Sequence, residues 1–311
     1  KPTFPGTYYI TIYGKGDYLG ATASQRFTID TPGNGFTVND DGKKVAFSPG
    51  NLQATYDGSS WTWAFADHQY DYIGRNVANT KISGDGTVSE NGTVDLFGWV
   101  GRSNTSWTNE AQYGITNSTA TKSASGYGTN YGESLKKEWN STNLDISNAG
   151  DYTWSPLDKD EWNYILRKRA SGATVNGASN ARYTHATINT DGRNVNGLIL
   201  FPDSCTIENS SVTLWGKING EGTVTRCTTA QWTHLEKLGC VFLPAAGYRS
   251  GATVYNINDQ GVYWSKSPWA KSGAQAYAYS LQFASYNPQL LCPCTTNRSW
   301  GGCVRLVRVV E

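Results

Sequence analysis

Three stretches near the carboxyl end of the chain place the strongest constraint on its fold. They read CVFLPAAGYR (240–249), AQAYAYSLQF (274–283) and CVRLVRVV (303–310). In the second stretch, large apolar side chains alternate with small or polar ones and so share one face: Tyr277, Tyr279, Leu281 and Phe283. Strict alternation is typical of a half-buried β-strand. The sequence therefore predicts three strands at this end of the chain.

Composition favours short strands joined by many turns. Of 311 residues, 13% are aromatic and only 16% are charged, and 34 are glycine. A low charge content with many turn-forming and aromatic residues is more typical of an exported protein than of a cytosolic helical enzyme. The chain begins with Lys1 and shows no signal peptide, so we expect the export signal to lie outside this sequence.

The net charge argues against a nucleic-acid partner, and the hydropathy argues against a transmembrane segment. The net charge is +1 and no basic run is present, so nucleic acid is not a predicted partner. The sequence also lacks a run of about 18 apolar residues, so no transmembrane segment is predicted. We expect a peripheral or lipid-anchored protein, located extracellularly or at the outer-membrane surface.

Residues 1–31 predict a β-hairpin separate from the rest of the chain. TYYITIY and ATASQRFTI alternate, and the glycine-rich GKGDYLG lies between them. The pattern resembles the last hairpin of immunoglobulin-like repeats on bacterial surface proteins, which implies the tail of such a repeat or a linker. The turn-rich DTPGNG (30–35) then leads into a second domain, predicted over residues 32–311.

The first predicted helix lies in SPLDKDEWNYILRKRA and has two possible starts. Ser155 can cap it with Pro156 at the first helical position. Alternatively, Asp158 and Glu161 form a capping box. The residues that follow have the spacing of an apolar helix face extended by an arginine stem: Trp162, Ile165, Leu166 and Arg169.

The second predicted helix lies in TTAQWTHLEKLG. Thr228 and Gln231 have the spacing of a capping box, and Gly239 is placed to end the helix. The apolar residues between them are expected to face the core: Trp232, Leu235 and Leu238.

An ordered set of segments resembles a known family over roughly residues 36–311. The segments are KVAFSPGNLQ, WAFADHQYDYIG, DLFGWVG, DKDEWNYILRKR, NVNGLILFPD, LEKLGCVFLPAAGYR, GVYWSKSPW and CVRLVR. The set is similar to exported gut Bacteroidetes surface proteins with a Fibrobacter major paralogous domain. It is more distantly similar to the formylglycine-generating-enzyme branch of the C-type-lectin fold.

That resemblance implies a fold and a location. The fold class would be α+β and C-type-lectin-like, with two helices flanking small twisted antiparallel sheets and long ordered loops. The terminal strand would pair with early strands. The resemblance also implies export, often with a lipid anchor, and in some members a place at a pilus tip.

Of the six cysteines, Cys292, Cys294 and Cys303 are close enough in sequence to be a candidate copper or thiolate site. Cys240 and Cys303 are expected to be small buried residues at strand starts. The resembled enzyme branch uses a nearby cysteine pair for copper-dependent oxidation, but the spacing of Cys292 and Cys294 does not match it. Because Pro293 stiffens the chain, these two are expected not to close on each other. We interpret them as surface thiols, or as one half of a disulfide to another cysteine.

Other catalytic signatures are weak. His68 in FADHQYDYIG is expected to be a buried structural residue with its hydrogen bonds satisfied. YNPQ (286–289) is the nearest approach to the calcium-dependent sugar motif of C-type lectins, and it lacks the acidic residue. We therefore predict no catalytic residue, no metal site and no cofactor.

The terminal loops favour a recognition surface. Tyr, Trp and Arg carry much of the energy of protein interfaces, and aromatic rings also stack on sugars. Trp264 is instead expected to pack inside the domain. The predicted ligand-binding residues are Lys266, Trp269, Lys271, Tyr286, Gln289, Asn297, Arg298 and Trp300.

The sequence thus predicts a non-catalytic, adhesin-like surface protein. Its expected partner is a glycan or a host or bacterial surface protein. Two alternatives remain open: a structural or pilus-tip subunit, and a formylglycine-generating-like oxidase that uses the cysteines.

Overall fold

The protein is predominantly a β-structure assembled from several small sheets. The computed structural model describes residues 6–29, 35–74, 92–99, 139, 141–142, 144–220, 222–250, 253–269, 277–284, 291–298 and 300–310. Strands make up 46% of this part of the chain and helical segments 12%. The predicted α+β, C-type-lectin-like layout is therefore wrong. The two helical signals of the sequence cover only short segments, and strand-forming stretches occupy most of what lies between.

The strands are β1 (Gly6–Tyr13), β2 (Thr22–Ile29), β3 (Phe36–Thr37), β4 (Lys44–Phe47), β5 (Leu52–Tyr56), β6 (Trp61–Phe65), β7 (Gly92–Val94), β8 (Ser155–Pro156), β9 (Thr174–Val175), β10 (Tyr183–Thr190), β11 (Arg193–Leu200), β12 (Thr206–Ile207), β13 (Thr225–Thr228), β14 (Val241–Pro244), β15 (Tyr248–Ser250), β16 (Thr253–Tyr255), β17 (Gln260–Pro268), β18 (Tyr277–Ala284), β19 (Leu291–Asn297) and β20 (Leu306–Val310). The α-helices are α1 (Lys159–Asn163) and α2 (Thr229–Lys237). A π-helical turn, Tyr164–Lys168, continues α1, and two short 3-10 turns cover Gly16–Tyr18 and Asn209–Ser211.

Two four-stranded sheets form the largest sheets in the described part of the chain. Their strand orders are β13-β10-β11-β14 and β3-β4-β20-β8. In the first, β10 and β11 are joined by Asp191 and Gly192, both with positive φ (46° and 76°), as a tight hairpin turn requires. In the second, β20 pairs antiparallel with β4, so the expected pairing of the terminal strand with an early strand is confirmed.

Both predicted helices form, and their capping boxes decide where they begin. The Asp158 side chain accepts hydrogen bonds from the backbone of Asp160 and Glu161, and the Asp158 backbone N–H donates to Glu161 Oε2. The alternative start at Ser155 is wrong, because Ser155 and Pro156 form β8 beside β20. At α2, Thr228 and Gln231 form the predicted capping box. Gly239 follows the helix with φ of 88°, as its predicted role in ending the helix requires.

The segment that leads into the terminal strand β20 is buried on both sides, contrary to simple alternation. Val304 and Leu306 are fully buried, but so is the guanidinium-bearing Arg305 between them. Arg305 Nη2 donates to Gln69 Oε1 at 2.6 Å, and Gln69 Nε2 donates to Glu236 Oε1 at 2.9 Å. Gln69 therefore links the terminal strand to helix α2, because its amide both accepts and donates.

The amino-terminal hairpin, formed by β1 and β2, is in contrast highly exposed. Its two strands pair over eight residues each. Its large side chains are among the most exposed apolar groups described: Ile10, Ile12, Tyr13, Tyr18 and Leu19. The strand pair predicted for residues 1–31 is confirmed. In the part of the chain described here, no helix has the length and apolar character needed to cross a bilayer.

Candidate functional site

A second hairpin, β15 with β16, carries a row of stacked aromatic rings. Tyr248 and Tyr255 are directly opposite each other, with ring centroids 5.5 Å apart and planes inclined by 23°. Trp300 also stacks on Tyr248, with centroids 4.6 Å apart and planes inclined by 16°. We call Tyr255, Tyr248 and Trp300 the aromatic ladder, and β15 with β16 the ladder hairpin. Tyr255 is 43% exposed, and the other two rings are half-buried.

The face of the ladder hairpin opposite the rings is buried. Arg249 and Val254 point inward and are completely buried. The backbone of Arg249 exchanges two hydrogen bonds with Gly301, at 2.9 and 2.8 Å. Since Gly301 follows Trp300 directly, this pair of bonds positions the indole beside Tyr248. Alternation along the strand then turns Tyr248 outward.

A polar cavity of about 610 Å³ begins where the ladder hairpin ends. Asn256 and Ile257, the two residues after Tyr255, belong to its lining. The remaining lining residues are Tyr72, Ile73, Gly74, Arg193 and Asp259. Burial raises the pKa of Tyr72, and the nearby Arg193 opposes that rise, so the phenol stays protonated and able to donate.

A second cavity of about 320 Å³ shares Asp259 with the first. It lies on the polar face of the β10–β11 sheet. There Thr187 Oγ1 donates to Asn196 Oδ1 at 2.7 Å, and Asn258 Oδ1 accepts from the Asn196 backbone at 2.7 Å. Hydroxyl and amide groups fixed by such bonds present directional partners to a polar ligand.

The structure separates the predicted ligand-binding residues. Trp300 belongs to the ladder. Arg298 is 1% exposed: its guanidinium carbon lies 4.3 Å from the ring centre of Trp99, and its Nε donates to the Tyr277 carbonyl at 2.8 Å. Asn297 is also buried. Both residues therefore contribute to the interior, because β19 is paired with β18 and not part of an open loop.

The other predicted residues lie away from the ladder or outside the described residues. Trp269 packs edge-on against Tyr277, with centroids 5.3 Å apart. Lys266 is half-buried, and its backbone donates to Leu157. Three further predicted residues lie outside the described part: Lys271, Tyr286 and Gln289. Trp264 is 1% exposed, which confirms its predicted place inside the domain.

Sequence reasoning missed Tyr248 and Tyr255. A signal was present in YRSGATVY, where Ser-Gly, a turn dipeptide, separates two short alternating stretches. That pattern indicates a hairpin with the two tyrosines on one face. The stacking of Trp300 on Tyr248 depends on the contact between Arg249 and Gly301, which has no local signature.

The cysteine predictions have mixed outcomes. Cys240 and Cys303 are buried, as predicted. Cys292 and Cys294 form a disulfide with each other, so the prediction that Pro293 prevents this closure is wrong. The two cysteines sit at alternate positions of a strand, which brings their side chains to one face.

His68 makes the expected hydrogen bond but is not buried. Its Nδ1 lies 3.0 Å from Asp71 Oδ2 and its ring stacks on Tyr70, whereas the side chain is exposed, so the expected burial is wrong. Across the described residues, no group of three or more His, Cys, Asp or Glu is arranged to hold a metal ion.

Comparison of the chain with family models, with curated proteins and with solved structures found no match in any of the three.

Proposed function

We propose that the protein is a non-catalytic surface protein that binds a carbohydrate at the aromatic ladder and the adjoining polar cavity. The observation that carries this proposal is the position of Tyr255. One face of its ring stacks on Tyr248, the ring is 43% exposed, and the next two residues line the cavity. A flat exposed ring beside hydrogen-bonding groups matches the two kinds of surface that a sugar presents.

The chemistry of the lining favours a sugar over an apolar ligand. Sugars have apolar C–H faces that pack on aromatic rings, and hydroxyl groups that need donors and acceptors. Arg193 and Tyr72 supply donors, Asp259 supplies an acceptor, and Asn256 supplies both. A protein partner would be expected to require a larger continuous patch, and its binding is a separate outcome of the test below.

The proposed location is extracellular or at the outer-membrane surface. The Cys292–Cys294 disulfide supports it, since disulfides persist in oxidising compartments. The same bond ties up both sulfurs, so the alternative of a copper-dependent oxidase acting through these thiolates receives no support. The low charge content is in keeping with export.

The test is binding of the full chain to a glycan array with and without EDTA, followed by calorimetry on any hit. We expect at least one specific sugar ligand that is retained in EDTA. Tyr255→Ala should weaken its affinity about tenfold or more, since a ring at the centre of a contact is typically worth more than 1 kcal/mol.

Two variants make this test specific. Tyr255→Phe keeps the ring and should retain most of the affinity, whereas Tyr18→Ala removes an aromatic side chain that is 74% exposed in the amino-terminal hairpin and should change nothing. If the array shows no hit and the protein still captures a purified glycoprotein whose glycans have been removed, the ligand is a protein and not a sugar. Equal affinities for Tyr255→Ala and the unaltered protein would overturn the site.

A further inference from the structure

The Cys292–Cys294 disulfide lies on strand β19 with a single residue, Pro293, between its cysteines. In the neighbouring strand β18, Gln282 is opposite Cys292 and Ser280 is opposite Cys294. The bond therefore joins two residues on one face of β19, a strand that is already hydrogen-bonded to β18. It joins no distant parts of the chain, so the fold gains little from it.

The loop that the bond closes is very short. The stabilisation that a disulfide provides by restricting the unfolded chain grows with the length of the loop it closes, and this loop is among the shortest possible. Opening the bond therefore costs the fold less than opening a disulfide that closes a long loop.

The bond is also accessible to an attacking thiolate. Cys292, Pro293 and Cys294 are all half-buried. In the described part of the chain, β19 pairs with β18 alone and so forms one edge of its sheet. Proline suits such an edge because it has no N–H to pair. A small thiol or an exposed cysteine of another protein can approach from this side.

The strand opposite the bond carries polar side chains. Gln282 and Ser280 are the register partners of Cys292 and Cys294. Gln282 Nε2 donates to Thr296 Oγ1 at 2.7 Å and contacts Ser280 Oγ at 3.3 Å. Amide and hydroxyl groups near a thiol make its anion less costly than an apolar environment does.

The buried cysteines have the opposite environment. Burial raises the pKa of Cys227 to about 12, and it also raises the pKa of Cys240 and Cys303. Thiols in such surroundings are poor nucleophiles. These three thiols therefore do not compete with Cys292 and Cys294 for exchange. Cys205 differs from them, because it is half-buried and its hydrogen bond with Cys240 lowers its pKa, so its labelling must be mapped separately.

We infer that Cys292 and Cys294 form a thiol–disulfide exchange site that external thiols open while the fold stays intact. An external thiolate attacks one sulfur, the Cys292–Cys294 bond breaks, and its electron pair leaves on the other sulfur. A second external thiolate then attacks the mixed disulfide, which releases the external disulfide and the second protein thiolate. Two external thiols supply the two electrons, and a low-molecular-weight thiol such as glutathione is sufficient.

The first experiment labels thiols in the native full-length protein. After treatment with oxidised glutathione, samples are exposed to increasing reduced glutathione, alkylated with iodoacetamide and mapped by mass spectrometry. We expect two alkyl groups on the peptide containing Cys292 and Cys294, with an unchanged circular dichroism spectrum and no label on Cys303. Labelling of this peptide only after denaturation would overturn the inference, as would free thiols at both positions after the oxidised glutathione treatment.

A second experiment tests closure of the reduced pair. Reduced protein is treated with Ellman's reagent, a disulfide whose reduction releases coloured thionitrobenzoate. An exchange site releases two thionitrobenzoate ions from this pair and retains no adduct, because the second cysteine displaces the first adduct. The matched variant Cys294→Ser should release one ion and retain one adduct on Cys292. Two retained adducts on the unaltered protein would show isolated thiols and overturn the inference.

Discussion

Two hairpins of this molecule carry aromatic and apolar side chains on short paired strands, yet they differ in what lies beneath them. In the amino-terminal hairpin, Ile12 is 65% exposed and Tyr13 73% exposed. In the ladder hairpin, Val254 is fully buried, and Tyr255 is the one strongly exposed residue among the apolar and aromatic residues described. The ladder hairpin is also hydrogen-bonded to the chain at Gly301.

The difference shows what makes an aromatic surface usable for recognition. A two-stranded hairpin is at best marginally stable by itself. Rings on such a hairpin must be ordered when a ligand binds, and that ordering reduces the affinity. The buried face of the ladder hairpin has already fixed Tyr248 and Tyr255 before any ligand arrives. We therefore place the site there and not on the more exposed hairpin.

The largest expected effect comes from a glycine in the chain entering the ladder hairpin. Gly247 has φ of 81°, and a Cβ there would collide with the carbonyl oxygen of Tyr255. Gly247→Ala should lower the free energy of unfolding by about 3 kcal/mol, from left-handed strain and the backbone clash together. Chemical denaturation would measure this, and sugar binding should be lost in parallel.

The matched control is Gly16→Ala in the amino-terminal hairpin. Gly16 also has positive φ, 61°, but a Cβ there would meet nothing within 4 Å. The strain is about 1 kcal/mol and falls on a hairpin that is not part of the core. Global unfolding should therefore be unchanged. Equal losses in the two variants would contradict the contrast between the hairpins.

A smaller effect is expected from the inward side chains. Val254→Ala removes two methyl groups from a fully buried position and should cost about 2 kcal/mol in the free energy of unfolding. Ile12→Ala, at an exposed position, should change it by less than about 0.5 kcal/mol. Thermal and urea unfolding of both variants would measure the difference. A large loss for Ile12→Ala would show that the amino-terminal hairpin packs against something.

Local signals in the sequence predicted the elements that depend on neighbouring residues. The capping boxes at Asp158 and Thr228 are made within three residues, and the strand at β18 follows from its own alternation. These features need no knowledge of the rest of the fold. For that reason the predicted helix starts and terminal strands agree with the structure even though the predicted fold class does not.

The features that the sequence did not predict, including the site, depend on contacts between residues far apart in the chain. Arg305 alternates in the sequence with the apolar Val304 and Leu306, yet it is buried and reaches Gln69, 236 residues away in the chain. Arg298 was expected in a ligand-binding loop, but it packs over Trp99. A buried arginine and a ligand-binding arginine have the same sequence signature, because their partners alone distinguish them.

The smallest expected effect tests whether the amino-terminal hairpin is independent of the core. A variant lacking residues 1–31 should keep its melting temperature within about 2 °C and its sugar affinity unchanged, since a loss of 0.5 kcal/mol or less would produce no larger shift. The backbone hydrogen bonds described for the turn of this hairpin, such as Gly14 to Ala21, lie within it. Differential scanning calorimetry and repetition of the sugar titration would measure both quantities. A clear fall in melting temperature would mean that the amino-terminal hairpin also packs against the rest of the chain. The two hairpins would then differ only in whether they bind the sugar.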